Sequence, residues 1–133
     1  MSINNWFKAT TQFVPRCLVV NSLDLVNKFR GVKKSMDSEL ISFGVMGLFP
    51  RIPLGPTMLY MKQLMCEVKA PSPISVEFFV LLEIFFEKNF GLFKGKLYKF
   101  PEDGGVPIEL SLGFFMGDLF MDMLKSKVLD WYR

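Results

Sequence analysis

Lys28, Arg30, Lys33 and Lys34 place four cations within seven positions, and Lys94, Lys96 and Lys99 place three more within six. Clusters of this density can neutralise a phosphate backbone, although the same residues on an ordinary surface are simply solvated. The acids offer two spaced pairs, Glu83 with Glu87 and Asp118 with Asp122, each four apart and so on one face of any helix that carries them. Without histidine, or further carboxylates at matching positions, both pairs read as solvated helix faces. The absence of histidine removes Ser-His-Asp and Cys-His nucleophiles, His-containing zinc sites and the usual neutral-pH proton shuttle. Cys17 and Cys66 read first as reduced core thiols, with a disulfide as the alternative. No P-loop, dinucleotide-binding glycine pattern, zinc-ligand spacing or internal repeat occurs.

These side chains must be positioned by a chain of 133 residues, which is one domain's worth. Half of it is hydrophobic, with fifteen phenylalanines and nine methionines, so exposed apolar patches are expected. A formal charge of +3 permits nucleic-acid binding without requiring it. No stretch is a membrane span, because Glu77, Glu83 and Glu87 interrupt one apolar segment and Glu109, Asp118 and Asp122 the other. The first fifteen residues lack the basic-then-apolar layout of a signal peptide, and an intracellular chain, cytoplasmic or nuclear, is expected.

Periodicity and punctuation give the elements. Residues 1 to 16 show no clear period and are read as irregular. Asn21-Ser22 offers N-cap chemistry to a helix near 21 to 30, with Leu23, Leu25, Val26 and Phe29 on its apolar face and Gly31 closing it. Residues 39 to 46 read as a short buried strand that ends in a turn at Pro50 and Pro53. A helix follows near 55 to 69, with Met58, Met61, Met65 and Val68 on one face as core packing. The next, near 75 to 89 and capped by Ser75, is apolar round most of its circumference. Aromatic and polar residues alternate from 90 to 100 about Lys94-Gly95, as in a two-stranded hairpin whose lysines line its tip and one side.

Three stretches carry a resemblance to one family. Ser42-Phe43-Gly44-Val45-Met46-Gly47-Leu48-Phe49-Pro50-Arg51-Ile52-Pro53 resembles the first catalytic motif of reverse transcriptases, in the form found in Penelope-like retroelements. Phe93-Lys94-Gly95-Lys96-Leu97-Tyr98-Lys99 resembles that family's lysine-bearing hairpin, and the run from Asp103 to Met121 its second polymerase motif, which implies a long last helix near 113 to 129. The resemblance implies an α+β fold, a partial fingers and palm that is mainly helical with one motif strand and one hairpin, in a single partial domain over 1–133. It makes Val45, Phe49, Pro107 and Ser111 relics of a nucleotide pocket, Phe49 standing where the family discriminates against a 2′-hydroxyl. Packing at the end of a strand is the plainer role for that ring.

Intact relatives hold Mg²⁺ on clustered aspartates for a two-metal reaction. Here Gly44 occupies the position of the first motif's aspartate, and Glu109 that of a glycine under the incoming nucleotide. The third motif, with its pair of adjacent aspartates, has no counterpart. The expectation is therefore a truncated, catalytically inactive reverse transcriptase-like chain of retrotransposon origin that needs no cofactor. A retained non-catalytic module is the alternative. It would bind RNA, an RNA–DNA duplex or protein through the two lysine clusters. Self-association through exposed apolar surface is also expected, including a helix at 76 to 88 buried on one side only. A membrane-surface role is the weakest reading, since acids occupy the narrow polar face of that helix.

Overall fold

The computed structural model describes residues 2–87, 90–99, 105–106 and 111–132. Their elements are α1 (Ile3–Thr11), α2 (Ser22–Phe29), a 3-10 turn (Phe49–Arg51), α3 (Leu54–Glu67), α4 (Ser72–Glu87), β1 (Phe90–Phe93), β2 (Lys96–Lys99) and α5 (Ser111–Tyr132). The fold is α+β and mostly helical, five helices with one antiparallel hairpin among the described residues.

The N-terminus corrects the expectation of irregular chain. Ser2 caps α1 by accepting from the Asn5 N–H, and Gln12 ends the helix in the left-handed conformation. Ile3, Trp6 and Phe7 fall at helical spacing and turn one face to the core. Phe7 is fully buried, its ring stacked on Phe78 at 5.5 Å and edge-on to Phe115 at 5.3 Å. Phe13, just past the helix, meets Phe115 at 6.3 Å. α1 thus packs against both α4 and α5 through aromatic contacts.

The remaining core comes from one face each of α3, α4 and α5, with Ile52 and Val106 added from the chain between elements. Met61 and Met65 of the methionine stripe are buried, while Val68 at its end is exposed. α4 begins at Ser72 rather than near 75, with Pro73 in the first turn where its missing N–H goes unmissed. Ser75 is inside the helix and donates its hydroxyl to the Pro71 carbonyl instead of capping. Phe78, Phe79 and Leu82 are buried, whereas Val76, Val80, Leu81 and Ile84 stay exposed, so α4 is covered on one side only, as expected. α5 buries Leu112, Phe115, Met116, Leu119 and Asp122, a helical stripe running about three turns.

The strand anticipated at 39 to 46 is absent. Residues 39 to 45 have no regular secondary structure, and every residue from 39 to 47 is exposed. A β-strand needs a ladder partner for its backbone groups, and the only pairing among the described residues is β1 with β2. That hairpin forms in the expected register, with Phe93 opposite Lys96 and Phe90 opposite Lys99. Lys94 and Gly95 both have positive φ, 49° and 74°, the requirement of the tight hairpin turn whose twist matches that of its strands.

Candidate functional site

The turn at 48 to 52 is where the two motif-like stretches meet. Phe49 to Arg51 forms a single 3-10 turn, closed by the Arg51 N–H on the Leu48 carbonyl at 3.0 Å and followed by fully buried Ile52. The Phe49 carbonyl accepts from the Val106 N–H at 2.8 Å and from the Ile52 N–H at 3.4 Å. Gly105 has φ +64°, and a Cβ there would collide with the backbone of Phe49 and Pro50. Only glycine satisfies both conditions, so Gly105 and buried Val106 dock backbone to backbone on the turn. From the other side α5 closes in. The Phe114 ring stands edge-on to Phe49 at 5.3 Å, and a Cβ at Gly117 would come to 3.5 to 3.9 Å from the side chains of Phe49, Leu48 and Ile52. Two stretches more than fifty residues apart thereby share one junction.

The candidate pocket residues fare differently. Phe49 is half-buried at the junction, in a 3-10 turn rather than at a strand end. Ser111 supplies the first residue of α5, and Pro107 lies outside the described residues, as do Glu109 and its neighbours. Gly44 and Val45 sit in the exposed stretch before the turn. A Cβ at Gly44 would meet nothing within 4 Å. Among the described residues nothing fits a Mg²⁺ pair, which needs clustered hard oxygen ligands. Gly44 offers none, and among the described residues no three His, Cys, Asp or Glu side chains stand close enough to share an ion.

The cations also divide. Lys28 is engaged within its own segment, donating to the Asp24 carboxylate at 2.8 Å and to the Leu18 carbonyl. The Lys28 hydrogen bond, together with one from the Val20 N–H, holds the Asp24 carboxyl below its ordinary range. Arg30, Lys33 and Lys34 are exposed. Lys94 is at the hairpin tip, its ammonium 5.5 Å from the Phe93 ring centroid. Lys96 and Lys99 are exposed but three positions apart in one strand, so they project from opposite faces of the hairpin, not from one side. The hairpin presents positive charge at its tip and on both faces, interleaved with exposed Phe90, Leu92, Phe93, Leu97 and Tyr98.

Sequence reasoning missed one polar site. Asp118 is exposed as expected, but Asp122 is 2% exposed and central to a network. Its carboxylate accepts from the Arg16 backbone N–H at 2.5 Å and from the Tyr60 hydroxyl at 2.7 Å, with the Arg16 guanidinium at 3.8 Å. Burial and the Asp122 carboxylate push the Tyr60 phenol up to about 12. The network joins α3, α5 and the chain just after α1. Its partners are 62 and 106 positions from Asp122, which no spacing rule reaches. Both cysteines are free and exposed, so neither the core-thiol reading nor the disulfide holds.

Two open grooves flank α4. One of about 260 Å³ lies against α1, walled by Trp6, Phe78 and Leu81. Another of about 470 Å³ lies against α3, walled by Met65, Phe79 and Val80, with the Lys62 ammonium 5.0 Å from the Phe79 ring centroid. Neither brings together a set of groups able to do chemistry. No helix of the described residues is long and apolar enough to cross a membrane. Comparisons with protein-family models, with curated proteins and with solved structures give no match to this chain.

Proposed function

We propose that the chain is a reverse transcriptase-like unit of retroelement origin that no longer polymerises nucleotides. The observation that carries this reading is the junction at Phe49. There the end of the first motif-like stretch receives the Gly105-Val106 backbone and the first turns of α5, which belong to the second. In a polymerase those two motifs cooperate around the nucleotide, and their meeting here is what common ancestry predicts. The chemistry is lost at Gly44, where the metal-binding carboxylate of the resembled motif is replaced by a hydrogen. Template-directed primer extension tests this, and the reading requires none from the wild-type chain.

A second reading, retained binding of an RNA–DNA duplex without catalysis, is favoured by the hairpin. Lys94, Lys96 and Lys99 with interleaved exposed aromatics provide phosphate contacts and stacking surfaces on one small element. Binding should weaken steeply with salt, and Lys94→Glu with Lys96→Glu should reduce affinity by roughly tenfold or more in a fluorescence anisotropy titration. Unchanged affinity in that double variant would remove the hairpin from the interface.

A further inference from the structure

Two helices present apolar faces that nothing among the described residues covers, and their charges are opposite. α2 has no buried residue, and Leu23, Leu25, Val26 and Phe29 are all exposed. Asp24 and Lys28 neutralise each other on its polar side, so the charge at its C-terminal end is the exposed Arg30, Lys33 and Lys34. On α4, Val76, Val80 and Ile84 recur every fourth residue along the exposed side. Glu77, Glu83 and Glu87 are exposed around them.

We infer that α2 of one copy of this chain docks on the outer face of α4 of a second copy. The apolar stripes would be buried together, with Arg30, Lys33 and Lys34 meeting Glu77, Glu83 and Glu87. Both surfaces are present in every copy, and the contact we infer is the closed one, made reciprocally about a two-fold axis in a dimer with two identical interfaces rather than in an open chain of copies. The segment carrying α2 is set up for a partner that comes to it. Asp24 accepts from the Val20 N–H at 3.0 Å and Lys28 donates to the Leu18 carbonyl, which fixes α2 to the chain before it. The base of the segment is held by the Arg16 N–H on the buried Asp122 carboxylate. A nucleic acid on these cations would leave four apolar side chains of α2 in water, whereas α4 answers both the charge and the apolar area.

Sedimentation velocity over a concentration series tests the contact. The wild type should dimerise, and Glu83→Lys with Glu87→Lys, or Lys33→Glu with Lys34→Glu, should each weaken self-association by about tenfold or more. All four positions are exposed, so circular dichroism should stay native. Mixing the two variants restores opposite charge at both interfaces, and the mixture should dimerise as the wild type does. Lys96→Glu, on the hairpin, should leave the dimer unchanged, which separates this contact from the hairpin's binding of nucleic acid. A wild type monomeric throughout, or a dimer indifferent to the reversals, would overturn the inference. Association abolished by nuclease would name nucleic acid as the occupant and overturn it equally. If the four substitutions combined in one chain recover thermal stability without a dimer, the two helices meet within one chain and the inference fails.

Discussion

Gly105 is the residue on which the junction turns, because its backbone conformation and its closeness to Phe49 and Pro50 both exclude a side chain. Gly105→Ala combines an unfavourable positive φ with overpacking against backbone, and should destabilise the fold by about 2–3 kcal/mol in urea denaturation. Gly44→Ala, where the new methyl meets nothing, should stay within about 0.5 kcal/mol of the wild type. Tyr60 gives a second test at this scale. Its folded pKa of about 12 lies above the ordinary 10.0 because burial and the Asp122 carboxylate disfavour the phenolate. A raised folded pKa contributes stability that is complete below about pH 10 and lost as pH rises through about 12. The difference in urea midpoint between wild type and Tyr60→Phe should therefore shrink over that interval. A constant difference would show that the phenol is not held by the network.

Among the elements, what was legible in the sequence depended on whether local signals were sufficient. β1 and β2 were readable because alternation and the Lys94-Gly95 turn specify a hairpin without help from the rest of the chain. α3 was readable from the helical spacing of its methionines and α4 from a proline break before a long apolar run, although the start of α4 was missed by giving Ser75 the capping role when Ser72-Pro73 could open the helix. The strand at 39 to 46 failed for the opposite reason. A run such as Ile41 to Met46 has strand composition, but composition cannot supply a ladder partner. α1 was missed although its signals were there: Ser2 as cap and Ile3, Trp6 and Phe7 at helical spacing, obscured by Asn4, Asn5, Thr10 and Thr11, all poor helix formers. The correction has an energetic consequence, because Phe7 touches both Phe78 and Phe115. Phe7→Ala should cost about 3–4 kcal/mol, measured by denaturant midpoint, if α1 is integral to the core. A loss under about 1 kcal/mol would return residues 3 to 11 to the status of an appendage.

At the scale of the whole molecule, α1, α3, α4 and α5 enclose a core of phenylalanine, methionine and leucine, while residues 16 to 47 contribute no buried side chain and the hairpin strands are almost wholly exposed. The candidate site divides along the same line. Phe49, Gly105 and Phe114 belong to the packed body, and Gly44, Val45, Arg30, Lys33 and Lys34 to exposed chain. Of the two stretches that resemble polymerase motifs, only the end of the first, Leu48 to Ile52, meets the second, a contact between distant positions that no local signal in the sequence specifies. A carboxylate restored at Gly44 would stand in exposed chain without partner ligands, since among the described residues no metal-binding cluster awaits it. The most direct measurement is primer extension on an RNA template with Mg²⁺ and deoxynucleoside triphosphates, comparing the wild-type chain with Gly44→Asp. The account predicts no product from either protein, while template-directed extension by either one would contradict it.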